Sequence, residues 1–201
     1  QAYADYTDMM RLAEDLISYI AKSVLGTTVI LHKGREVDLA PPWRRITMID
    51  AVKEWTGIDF ECIESDEQAR EICRNMGIEL RGDESKWKCL NDIYDSKADE
   101  CIVEPTFVTH HPVEVSPLAK ESKDRPGFTD RFEIFVCGQE LGNAFTELND
   151  PIVQKERFLL QAAARKAGDE EAHQMDEDYI RALQYGMPPA GGLGIGVDRL
   201  V

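Results

Sequence analysis

Arg131-Phe132-Glu133-Ile134-Phe135-Val136-Cys137-Gly138-Gln139-Glu140-Leu141-Gly142-Asn143-Ala144-Phe145-Thr146-Glu147 is the stretch whose reading decides the fold. It alternates like a strand, turns at a glycine and alternates again, the pattern of an antiparallel hairpin. With Cys137-Gly138 as a two-residue loop, Val136 pairs with Gln139, Phe135 with Glu140 and Glu133 with Gly142. Glu133 and Glu140 then share one face on a diagonal of roughly 7–8 Å between backbones, within reach of one hard cation. Magnesium carrying phosphates is the natural occupant. Taken alone, the pair also reads as two solvated carboxylates on an exposed sheet face.

Asn143, Phe145 and Glu147 share a face by the same period of two, and an amide, an aromatic wall and a carboxylate suit an amine. Strict alternation puts that trio opposite Glu140. A single site therefore needs one extra residue in the strand, and Gly142 is the place for the bulge because glycine tolerates unusual backbone angles.

A second informative stretch is Gly191-Gly192-Leu193-Gly194-Ile195-Gly196-Val197-Asp198-Arg199-Leu200-Val201. Its glycine spacing fits neither the dinucleotide fingerprint nor a phosphate loop with its lysine. It reads as a strand whose alternate positions Gly192, Gly194 and Gly196 leave one face bare, so that a flat ligand can lie on the backbone. Arg199 follows in the first turn of a helix, where its planar fork can stack on a base or pair with a phosphate. Tight helix-on-sheet packing beside a surface arginine is the plainer reading of the same residues.

Outward from these stretches, apolar positions at helical spacing run from Tyr6 to Leu25 and stop at Gly26. Thr28–Leu31 and Val37–Leu39 form a small hairpin about Gly34 that closes at Pro41-Pro42. Thr47 caps a helix to Gly57, and Ser65 with Gln68 forms a capping box before a helix that Gly77 ends. A further helix spans about Ser85 to Ala98, so residues from about 65 to 100 read as a helical insertion without catalytic residues. Ile102–Val108 is strand, Ser116–Gly127 a long polar loop. Asp150-Pro151 opens a helix to about Lys166, and Asp176 or Glu177 opens another that ends at Gly186. Trp43-Arg44-Arg45 reads as a packed loop rather than an RNA contact, His110-His111 lacks a third metal ligand, and Asp169-Glu170-Glu171 reads as a solvated helix end.

With 201 residues the chain is sized for one domain. Its 38 acidic and 23 basic side chains give a net charge of -15, the wrong sign for a phosphate-gripping surface. Five scattered cysteines spell neither a zinc knuckle nor a redox pair. The absence of a long apolar stretch or a signal pattern predicts a cytoplasmic protein with no membrane partner.

Glu104-Pro105-Thr106-Phe107-Val108-Thr109 with Pro112–Ala119, then Arg131–Asp150, then Gly191–Val201 resemble the class II lysyl-tRNA synthetases of bacterial type in order and spacing. Ala2-Tyr3-Ala4-Asp5-Tyr6 resembles the stretch just after that family's second motif. The likeness covers essentially the whole chain and implies an α+β class II synthetase catalytic fold, an antiparallel sheet flanked by helices. Residues 1–201 would be part of that domain, with the helical insertion at about 65–100 and the lysine and ATP segments in 101–201.

The resemblance also implies chemistry. Lysine's carboxylate attacks the α-phosphate of a bent ATP to give lysyl-adenylate, and the lysyl group passes to tRNA(Lys). Glu133 and Glu140 match the family's Mg2+ carboxylates. Arg199 matches the catalytic third-motif arginine, and the implied ATP-binding set is Arg199, Glu133, Glu140 and Gly194. Asn143, Phe145 and Glu147 match the lysine pocket, with Glu147 receiving the ε-ammonium. A homodimer is implied for the full-length protein. The first motif, the second-motif arginine, a glutamate and tyrosine of the lysine pocket and an anticodon-reading barrel are not among these 201 residues, so the polypeptide by itself is expected to be inactive. Aspartyl and asparaginyl relatives would offer a cation or amide partners where Glu147 stands. A non-catalytic synthetase-derived binding module and a lysine ligase acting on a protein or lipid pathway are the other readings.

Overall fold

A computed structural model of the protein describes residues 1–166, 168, 172 and 174–201, with the backbone alone for Asp99. The Asp169-Glu170-Glu171 run falls outside the described residues.

The first helix, α1 (Tyr6–Leu25), starts at Asp5, whose carboxylate accepts from the Thr7 and Asp8 amides, and ends at Gly26 with φ 75°. Its buried face is Met9, Met10, Ala13, Ile17 and Ala21, the apolar stripe that helical spacing demands. The small hairpin follows as β1 (Val29–His32) and β2 (Arg35–Asp38). Lys33 and Gly34 between them both have positive φ, the mirror-image turn that matches strand twist. Next come β3 (Arg44–Thr47) and α2 (Met48–Thr56), the helix capped by Thr47 and stopped at Gly57.

The insertion holds α3 (Asp66–Asn75) and α4 (Lys86–Cys101). Ser65 caps α3 as expected, but the Gln68 side chain accepts from the Glu64 amide rather than completing the reciprocal box on Ser65. Ser85 caps α4, which runs three residues beyond Ala98. The remaining elements are β4 (Thr106–Thr109), β5 (Arg131–Val136), β6 (Gln139–Thr146), α5 (Pro151–Lys166), α6 (Glu177–Gln184), β7 (Gly191–Ile195) and α7 (Val197–Leu200).

Five strands form one sheet in the order β3-β4-β5-β6-β7. The pairs from β4 to β7 are antiparallel, whereas β3 lies parallel to β4 at the edge. This edge strand corrects the reading of Trp43-Arg44-Arg45 as a packed loop. Nothing local signals it: two arginines with exposed side chains give no alternation, and the strand exists because its backbone ladders onto Thr106–Thr109. Trp43 itself is buried and lies 5.2 Å from the Phe107 ring.

One sheet face carries Phe107, Phe132, Ile134, Val136, Leu141 and Ala144 against α1 and the β1–β2 hairpin. On the other face, Val108 and Phe135 pack under α2, α3 and α4. That covers the β4–β5 end and leaves the β6–β7 half only partly covered, with Gly194 exposed.

The hairpin register contains the extra residue. Phe135 faces Glu140 and Ile134 faces Gly142, so Leu141 is the inserted position and Glu133 faces Asn143 rather than Gly142. Leu141 and Gly142 consequently both lie on the α1 side, and the strand on either side of them is switched in phase. Glycine is needed at 142 for space, not for an unusual φ: a Cβ there would run into the Gly194 carbonyl of β7. We expect Gly142→Ala to cost about 1–3 kcal/mol in denaturant unfolding, whereas Gly194→Ala should stay within about 0.5 kcal/mol. A Cβ at Gly194 meets only the Asn143 carbonyl, at 3.8 Å.

Candidate active site

The bulge gathers the sequence-predicted residues onto one face. Glu133 and Asn143 are directly opposed, Phe135 and Glu140 are opposed beside them, and Phe145 faces Arg131 on the other side. Because cross-strand partners share a face, Glu133, Glu140, Asn143 and Phe145 all point away from α1. Glu147 continues the alternation just past β6, and its amide donates to the Ala190 carbonyl at 2.8 Å.

Strand β7 extends the face. Gly194 opposes Asn143 and Gly192 opposes Phe145. A Cβ at Gly192 would occupy the space of the Glu147 carboxylate. Bare backbone there lets an acidic side chain lie flat on the sheet. At the opposite end, the Arg199 stem lies along Gly196, its Nη1 donates to the Glu140 carbonyl at 2.6 Å, and the same nitrogen is 3.6 Å from Glu140 Oε2. The face thus has a mixed-charge end at Glu140 and Arg199, a polar middle at Glu133 and Asn143, and an acidic end at Glu147.

The electrostatics follow this layout. Burial first, then the neighbouring Glu133 charge, raise the Glu140 carboxyl above its ordinary value, against the pull of Arg199 and Arg131. Burial raises Glu147 as well. Such groups cost free energy when ionised without a partner and gain from a cation. The Tyr179 phenol of α6 is raised by burial and, after it, by the Glu147 charge, which places that ring near the acidic end.

The family model for the class II tRNA synthetases (D, K and N) matches residues 1–201. The chain belongs to that family. This class II synthetase chain is 54% identical over 201 residues to a lysine–tRNA ligase of Thermoanaerobacter sp. (strain X514), covering all of the chain and 40% of the relative. It is 56% identical over 203 residues to the Pelotomaculum thermopropionicum lysine–tRNA ligase and 53% over 201 to that of Bacillus subtilis (strain 168), again with the whole chain and 40% of each relative covered. The chain therefore spans about 40% of the length of these relatives. Among the described residues, no helix is long and apolar enough to cross a membrane.

Residues that the sequence did not single out also contact this face. Helix α4, read as an insertion without catalytic residues, delivers Tyr94, whose hydroxyl donates to Glu133 Oε2 at 2.8 Å. Arg131 donates to Glu133 Oε1 at 2.8 Å and to Asn143 Oδ1 at 3.2 Å. His111 is fully buried, with Nε2 3.1 Å from the Val108 carbonyl and Nδ1 3.9 Å from Glu133 Oε1. Burial, then the Arg131 charge, hold its pKa well below the usual imidazole value, so it is neutral. Asp95, one residue after Tyr94, keeps part of its surface in water, yet partial desolvation and then the Glu133 charge push it up to about 7. It lines a cavity of about 360 Å³ with Lys88, Glu114, Arg131, Glu133 and Gln161. A tyrosine and an aspartate on an amphipathic helix carry no periodic signal for such a role; only the docking of α4 on β5 shows it.

Among the described residues, no cluster of three or more His, Cys, Asp or Glu could hold a metal by itself. Apart from Glu147 at the acidic end, the carboxylates described on this face are the neighbours Glu133 and Glu140.

Proposed function

We propose that the chain forms the lysine- and ATP-facing part of a lysine–tRNA ligase, activating L-lysine with ATP and passing it to tRNA(Lys). The observation that carries the choice of lysine is Glu147: an acidic side chain with a raised pKa, laid on bare Gly192 backbone at the end of the site face. Among substrates of the D, K and N group, an ammonium gains from that carboxylate, an aspartate side chain is repelled, and an asparagine amide leaves the charge uncompensated. The names of the relatives, lysine–tRNA ligases at 53–56% identity, support the same reading.

In this reading Phe145 walls the aliphatic stem of lysine and Asn143 lies toward its carboxylate end. Gly194 gives ATP a flat floor, and Arg199 holds the nucleotide. Glu133 and Glu140 fit Mg2+: two oxygen-donor side chains on one face, close enough for the Glu133 charge to raise the Glu140 carboxyl, leave the remaining ligands to phosphate oxygens. Bound there, the ion would neutralise phosphate charge. The protein's own contribution is then to align lysine and ATP along one rigid strand pair and to match their charges in advance. Homodimerisation and a cytoplasmic setting are part of the same proposal and rest on family membership.

Replacing the matching 201 residues of the Bacillus subtilis enzyme with this chain tests the reading. The chimera is expected to catalyse lysine-dependent ATP–pyrophosphate exchange and none with aspartate or asparagine. A folded chimera that exchanges with aspartate, or with none of the three, refutes it.

A further inference from the structure

Glu133 is gripped by Tyr94 of helix α4 and by Arg131 of its own strand β5. Its carboxylate accepts from Tyr94 on one oxygen and from Arg131 on the other, each at 2.8 Å. Arg131 uses all three guanidinium nitrogens: Nη2 on Glu133, Nε on Asn143, and Nη1 on the Val115 carbonyl at 3.1 Å and the Ser116 hydroxyl at 2.8 Å. We propose that Tyr94 and Arg131 are positioning residues that lock the Glu133 carboxylate and the Asn143 amide into one frame, making helix α4 part of the active site. The inference rests on the reading of this face as a lysine-activating site.

The geometry supports rigidity at each link. Tyr94 is 1% exposed and boxed in by aromatic rings, with Trp55 stacked at 6.0 Å and His111 and Phe135 edge-on at 5.7 and 6.2 Å. Its hydroxyl, held in that box, donates to Glu133 Oε2. The Arg131 fork is planar, and a shift of Glu133 relative to Asn143 breaks at least one of its bonds.

Polarity is fixed as well. Because Asn143 Oδ1 accepts from Arg131, its Nδ2 amino group is the end turned toward a ligand, which suits a carboxylate oxygen. Each Glu133 oxygen accepts one bond from this frame and keeps a second lone pair for a cation. A carboxylate aimed by partners behind it offers a cation a site formed before binding.

The test is a Mg2+ titration of lysine-dependent ATP–pyrophosphate exchange, made on the whole protein carrying this chain. Tyr94→Phe should raise half-saturating Mg2+ about tenfold with the lysine KM moved less than about twofold, because the hydroxyl it removes bonds Glu133 and not Asn143. Arg131→Lys keeps the charge but loses the fork, and should raise half-saturating Mg2+ and the lysine KM about tenfold each. A purely structural role would lower the melting temperature and the active fraction with both constants unmoved, and that result would overturn the proposal. If Arg131→Lys fails to fold, the Tyr94→Phe titration decides alone. Glu133→Gln separates the two levels of inference. An unchanged Mg2+ response in that variant sinks the reading of the site itself, while a changed response beside an unaffected Tyr94→Phe sinks only the positioning role.

Discussion

Glu147→Gln is expected to lower kcat/KM for lysine by about 10²–10³-fold while the KM for ATP moves less than about threefold. The carboxylate lies on Gly192, where a Cβ on that residue would collide with it, and burial already raises its pKa. Glutamine preserves shape and one acceptor oxygen but leaves a lysine ammonium without a counter-charge, so the loss falls on the amino acid and spares the nucleotide. The pH dependence has a definite sign. In the ligand-free protein Glu147 binds a proton more readily than an ordinary glutamate, and an ammonium favours its ionised form, so lysine binding expels that proton. Lysine affinity should therefore fall as pH drops through the raised carboxyl pKa, and Glu147→Gln should lose this dependence. Equal losses for lysine and ATP, or a pH profile that the substitution leaves untouched, would contradict the assignment.

That expectation could be framed from sequence because the residues on the site face sit on two hairpin strands, where a period of two decides which side chains meet. Asn143, Phe145 and Glu147 were placed together by alternation, and the chemistry of a shared site demanded the bulge near Gly142. The exact register was not legible. The inserted residue is Leu141, and the reason for glycine at 142 is the Gly194 carbonyl, supplied by a strand that returns to β6 only after two intervening helices. Helix ends were legible for the opposite reason. Thr47, Ser65, Asp150 and Asp176 bond to amides two or three residues onward, an interaction within one turn that owes little to the rest of the fold. Strand β3 and the reach of Tyr94 into the site depend on which elements dock against each other. Neither four residues beginning Arg-Arg nor a tyrosine on a helix face encodes a partner locally.

The second large effect is at the carboxylate pair, and the structure ranks its members. Glu133→Gln at saturating Mg2+ should lower kcat for lysine-dependent ATP–pyrophosphate exchange by about 10²–10³-fold, and Glu140→Gln by about tenfold less. The Glu133 side chain is 13% exposed and fixed by Tyr94 and Arg131, whereas that of Glu140 is 37% exposed and, among the described residues, is paired with Arg199 at 3.6 Å. A preorganised charge in a less watery place acts on developing phosphate charge more strongly than a mobile, partly solvated one. Folding should survive both changes: a glutamine carbonyl at 133 can still accept from Arg131, and the Tyr94 hydroxyl can turn to accept from the new amide. Raising Mg2+ should then restore part of the Glu140→Gln loss, where the charge at 133 still recruits the ion, and little of the Glu133→Gln loss. The opposite ranking, with Glu140→Gln the more damaging and Glu133→Gln rescued by excess Mg2+, would show that the frame behind Glu133 serves the fold and leaves the metal to Glu140.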